Sequence, residues 1–178
     1  MTRSTVNSTP SDIPAIFLTY SADRMRKSQA EIHACLDRLT EEQMQHRAGD
    51  HENSIVNLLL HLEGNIRQWA IAGVGQQPDT RQRDAEFTLT PTITAAEART
   101  RLDAAIDEAT AIIRACDPDF LTETIDPQPT GIARHPKVLE AIYKCVGHLE
   151  HHTGQIILLT KQHVRRDLDL SMPRKRWP

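Results

Sequence analysis

Apolar residues recur every three or four positions in four long stretches of the chain, separated by polar connections of uneven length. That spacing lines one face of an α-helix. The first stretch runs from about Ile13 to Leu39, with Ile16, Tyr20, Ile32, Leu36 and Leu39 on its apolar line. Ser11 or Asp12 can cap it, and Pro14 suits a first turn, where a missing N–H removes no bond. The second follows Asn53-Ser54, both good caps, and reaches about Ala72. Ile55, Leu58, Leu59, Leu62, Ile66 and Trp69 form its stripe, and Gly73 and Gly75 end it.

The third opens on Thr94-Ala-Ala-Glu97, a capping box in which hydroxyl and carboxylate satisfy each other's backbone N–H. Leu102, Ile106, Ala109 and Ile113 follow as its seam, and Asp117-Pro118 stops it. The fourth begins near Pro136 and runs to about Gln162 through Leu139, Ile142, Val146, Leu149, Ile156 and Leu159. No segment alternates with period two, and residues 90–94 are too short and Pro-broken for a strand. The expectation is an all-α chain, a four-helix bundle forming one domain over residues 1–178, with flexible ends at 1–11 and 175–178. Thr40-Glu-Glu-Gln43 predicts one extra turn within the connection 40–53. Residues 74–93 and 117–135 are long polar connections of the kind that cross a bundle or carry function.

Composition narrows the function classes. A formal net charge of -3 argues against nucleic acid as the partner. The basic end (Arg165, Arg166, Arg174, Lys175, Arg176) reads as a solvated tail. Cys35, Cys116 and Cys145 are odd in number and lack CxxC spacing, which suits a reducing cytoplasm better than a disulfide framework. No stretch is long and apolar enough for a membrane span or a leader's apolar core, so a soluble cytoplasmic protein is expected.

Candidate chemistry centres on histidine. His148 and His152 are four apart in GHLEHHTGQIILL, and His61 lies upstream in NSIVNLLLHLEGN. Residues four apart on a helix point the same way. Nine histidines would give roughly 0.4 such pairs by chance, so HxxxH alone says little. Two polar rows add weight. Ala141, Cys145, His148, His152, Gln155 and Leu159 border the apolar stripe of the fourth stretch instead of opposing it. His61, Asn65, Gln68 and Ala72 do the same in the second, which suggests a lined internal cavity.

From spacing, two readings stay open: three metal ligands, or a satisfied core histidine beside a surface pair. His151 is rotated about 100° from His152 and falls outside the site. His33, His46, His51, His135 and His163 lack partners at ligand spacing and read as surface residues. In the metal reading, each imidazole needs an acceptor for its second N–H, which Asn65, Gln155 or a carboxylate can supply. Three neutral ligands favour an added anion, a hydroxide or a thiolate, with Zn²⁺ as the default ion and Ni²⁺ as an alternative. Cys145 reads as a core filler sooner than a further ligand. Arg81, Arg83, Asp84 and Glu86 cluster after the second stretch, either pinning the loop or presenting arginines to carboxylates of a cofactor. Tyr20, Arg24, Lys27 and Glu31 read as a solvated, salt-bridged face.

These residues resemble the DinB/YfiT-like superfamily in LLLHLEGN and in HLEHHTGQ, an HxxxHxxQ pattern with Gln155 in last place. The chain is also similar to a bacterial DinB-related family of unknown function. That likeness lies in ENSIVNLLLHLEGNIRQW, RQRDAEF (81–87), KVLEAIY with GHLEHHTGQI (137–156) and LSMPR (170–174), spanning about residues 15–174. The resemblance implies an up-down-down-up bundle, often a homodimer, with a divalent metal on His61, His148 and His152. It further implies a small-molecule substrate and, from its better-understood members, thiol-dependent chemistry: transfer of a low-molecular-weight thiol such as bacillithiol, or a mycothiol-dependent isomerisation, with the thiol held as thiolate on the metal. AIAGVGQQPDT (70–80) departs from the aromatic-rich segment of some relatives. The rival expectations are a metal-dependent hydrolase and a non-enzymatic stress-related bundle that binds a small molecule or partner.

Overall fold

The computed structural model describes residues 12–88, 91–125 and 135–170. The ends expected to be flexible, and most of LSMPR, lie outside the described residues. The described chain is helical. Its elements are α1 (Ile13–Leu36), α2 (Glu41–Gln45), α3 (Ile55–Ile66), α4 (Ala95–Ala115) and α5 (Val138–Val164). A π-helix, Arg67–Val74, continues α3, and Arg83–Phe87 and Pro118–Thr122 are 3₁₀ turns. No strand occurs among the described residues, and an isolated antiparallel bridge joins Thr124 to Lys137 at the two ends of the connection before α5.

Three predicted caps form. Ser54, Thr94 and Thr40 each accept the backbone N–H three residues on, and Asn57, Glu97 and Gln43 close the reciprocal bond. The Thr40 box makes α2 the single extra turn that its sequence foretells. Asp12, by contrast, makes no side-chain cap bond, and α1 starts on Pro14 in its first turn.

The four long helical runs share one core. α1 and α3 each lie along both α4 and α5, and the π-helix keeps the same two neighbours. Met25, Ile32, Leu59, Leu62, Ile106, Ile142, Leu149 and Ile156 are among the fully buried side chains. Each such burial contributes about 1.5–3 kcal/mol. α1 corrects its expected stripe: Ile16 and Tyr20 are exposed, and Leu18, Ala22, Met25, Ile32 and Leu36 face inward. Its buried Ser21, Ala22 and Ser28 are small, so the helix packs closely through positions that a hydrophobicity pattern underweights. Leu139 on α5 is likewise exposed.

Polar groups tie the helices at their margins. Arg24 pairs with Glu150 of α5. His33 Nε2 lies 2.6 Å from Asp103 of α4, half-buried rather than free on the surface. His46 meets His163 edge-on, with ring centroids 5.5 Å apart. Such partly exposed contacts are worth little each.

The connection after the π-helix is clamped onto α3. Asn57 donates its side-chain amide to the carbonyls of Glu86 and Thr88, both at 3.0 Å. Arg47 donates to Asn57 Oδ1 at 3.1 Å and to the Thr88 carbonyl at 3.2 Å. α2 holds the far end, where Gln45 donates to the Ile93 carbonyl at 3.0 Å and Glu41 accepts the Ala95 N–H at 2.9 Å. The segment before Thr88 is therefore set against the face of α3 that carries His61. No helix among the described residues is long and apolar enough to cross a membrane.

Candidate metal centre

His61, His148 and His152 converge. One donor atom from each lies within 4.8 Å of the other two, a spacing that a single cation can bridge. Two helices build the cluster: α3 presents His61, and successive turns of α5 present His148 and His152 on one face. The imidazoles meet edge to face, with centroids 4.4–5.0 Å apart. His61 is buried and the other two are half-buried, so the cluster opens toward α5's flank. His151 points outward, touching only the edge of the His152 ring at 5.1 Å among these three.

Hydrogen bonds orient two of the rings. His61 Nδ1 lies 2.8 Å from Glu86 Oε2. The carboxylate can only accept, and at 2.8 Å it lies nearer than the Arg81 Nη2 donor at 3.2 Å, so Nδ1 carries the proton and the Nε2 lone pair faces the cluster. His61 Nε2 in turn lies 2.8 Å from His148 Nε2. His152 Nδ1 donates to Gln155 Oε1 at 2.6 Å, which likewise turns the Nε2 of that ring inward. An orienting partner of this kind is what a metal-bound imidazole needs on its second nitrogen.

The electrostatics favour neutral rings at His148 and His152. Burial first, then His152, His61, Arg81 and Lys144, push His148 down to about 3. Burial also lowers His152, against the raising effect of its bond to Gln155. A neutral imidazole is the metal-binding form, so this donor set fits a cation of the zinc or nickel kind.

Behind His61 sits a buried ion pair. Arg81 donates from Nε to Glu86 Oε1 at 2.7 Å and from Nη2 to Oε2 at 2.8 Å, a bidentate fork. Its Nη1 donates to Gln68 Oε1 at 2.7 Å. Burial would raise the Glu86 carboxyl, but the bonds from Arg81 and His61 hold it below the ordinary value. Arg83 stands apart, its guanidinium 5.1 Å over the Phe87 ring, which packs 4.8 Å from His61.

The remaining sequence candidates fall into place around this arrangement. Gln68, from the π-helix, holds Arg81 and so acts one step removed from the histidines. Asn65 is buried one turn beyond His61, and its Oδ1 has no hydrogen-bond partner among the described residues. Cys145 is fully buried, its thiol pushed up to about 12 by burial, and it is not among the residues whose donor atoms converge. All three cysteines are free thiols. Glu86 is the residue that sequence reasoning placed in the right segment without its partner. Of the two arginines in that segment, Arg81 makes the bonds to it.

The chain matches the family model described as "Protein of unknown function (DUF1572)" over residues 12–176. It belongs to that family. No curated protein matches the sequence closely enough to lend it a function. The match takes in all three histidines, the RQRDAEF segment and both helices of the cluster.

Proposed function

We propose that this DUF1572 member is a divalent-metal-dependent enzyme of the DinB type, a transferase that joins a low-molecular-weight thiol to a small electrophile. The observation that carries the reading is the meeting of His61, His148 and His152 with donor atoms inside 4.8 Å. Three protein ligands leave coordination positions open, whereas structural zinc sites close with four. Zinc or nickel bound there would supply the positive charge that keeps a thiol ionised at neutral pH.

The chain's own residues have separable tasks in this reading. Gln155 and Glu86 fix the tautomers of His152 and His61. Asn65 offers a buried acceptor with no donor among the described residues, suited to an N–H or O–H of the bound molecule. Arg81 is engaged by Glu86 and Gln68, which leaves exposed Arg83 to meet carboxylates of the thiol. The reading also takes in an up-down-down-up order of the four long helices, a homodimer and a cytoplasmic setting.

The test combines metal analysis with turnover. Purified wild-type protein is expected to carry zinc or nickel, and His148→Ala to lose it; equal, negligible metal in both would overturn the site. Metal-loaded protein is then assayed on model electrophiles with and without added thiol. Cleavage of an amide or ester that needs no thiol would replace the transferase with a hydrolase.

A further inference from the structure

α3 carries a glycine where a helix interior gains nothing from one. Gly64 sits one turn after His61, fully inside the helix, where alanine would be favoured by about 1 kcal/mol. Space explains it. A Cβ at this position would stand 2.2 Å from Glu86 Oε1 and 3.0 Å from Arg81 Nε. The buried ion pair therefore rests directly on the backbone of α3, and only glycine lets it come that close.

The pair is also held from every side. The Arg81 and Glu86 side chains are only 7% and 8% exposed. The carboxylate accepts three hydrogen bonds, two from Arg81 and one from His61, and the Glu86 carbonyl accepts the Asn57 amide. Asp79 accepts the Arg81 backbone N–H at 2.9 Å. The 3₁₀ turn Arg83–Phe87 thus delivers one inward carboxylate to one histidine nitrogen.

We propose that Glu86 is a positioning residue for the cation site, and that Gly64 and Arg81 exist to seat it. The carboxylate holds His61 as the Nδ1–H tautomer with the Nε2 lone pair turned into the cluster, and its negative charge strengthens that donor. The bound ion and the seated segment 81–88 then stabilise one another, because each favours the same orientation of His61. This rests on the metal reading above and assigns the affinity of that site to residues that supply no ligand atom.

The test uses the full-length protein, zinc and a competing chelator, with hydrogen exchange over residues 81–88 as a second readout. Zinc is expected to slow exchange in that segment of the wild type. Gly64→Ala keeps or improves helix propensity, yet is expected to weaken zinc binding by about 10–100-fold and to uncouple exchange in 81–88 from zinc. The double variant Glu86→Gln, Arg81→Gln removes the charges together, avoiding a stranded buried ion, and should weaken zinc binding to a similar extent. A purely structural role for the pair would change stability and leave affinity in place. Affinity within twofold of wild type in both variants, or exchange in 81–88 that ignores zinc in the wild type, would overturn the inference. Wild-type protein that binds no zinc or nickel at all would instead overturn the metal reading itself.

Discussion

His61 and Glu86 are 25 residues apart in the chain and 2.8 Å apart in space, joined by a bond in which the imidazole donates and the carboxylate accepts. That contact links a helix that a periodic pattern announces to a loop segment that no pattern does. It also explains why Arg81 and Arg83, two positions apart, have different consequences.

Arg81→Ala strands the Glu86 carboxylate in a buried place. Breaking one partner of such a pair costs about 3–5 kcal/mol. Arg83→Ala removes an exposed cation–π contact with Phe87, worth about 0.5–1 kcal/mol. Urea denaturation followed by circular dichroism should rank the two in that order. Equal losses would contradict the placement of Arg81.

Acidification should destabilise the metal-free protein, with His148 as one cause. In the unfolded chain this histidine takes a proton near its ordinary value, whereas in the folded protein it resists until about 3. The unfolded state therefore binds more protons between those values, and stability falls as pH drops through that window. Melting temperatures of wild type and His148→Gln, measured from pH 7 to pH 4, should fall more steeply for the wild type. Parallel slopes would argue that the ring is not held neutral.

Gln155→Ala removes the acceptor that orients His152 without touching a candidate ligand. Zinc affinity should fall by about tenfold, the small end of the range for such partners because Gln155 is exposed. Gln155→Glu, which still accepts from Nδ1, should restore it. Chelator competition measures both. No change in Gln155→Ala would mean that the ring is held by packing alone.

Much of this arrangement is legible in the sequence, for identifiable reasons. The long helices follow from 3.6-residue periodicity, and Ser54, Thr94 and Thr40 mark starts through capping chemistry that acts within four residues. His148 and His152 are visible as a pair because a helix fixes their separation. His61 joins them by lying in a polar row beside an apolar stripe. The inward face of α1 is harder to read, since Ser21, Ala22 and Ser28 are buried by close approach rather than by hydrophobicity.

The partner of His61 had no such signal, because a 3₁₀ turn docked from a loop obeys no long periodicity. The nearest hint is Gly64, a glycine inside an otherwise apolar helix one turn from the histidine, which marks the close approach of another group. The partner of His33 carries no signal for a similar reason, as Asp103 lies on a different helix 70 residues away.

The central claim is that three imidazoles from α3 and α5 hold one divalent ion. Calorimetric titration of zinc into metal-stripped wild type, His61→Ala, His148→Ala and His152→Ala tests it most directly. The expected result is one site per chain in the wild type and a loss of at least about 100-fold in affinity in each variant, with the fold retained by circular dichroism. Wild-type affinity in any of the three variants, or no titratable site in the wild type, would contradict it.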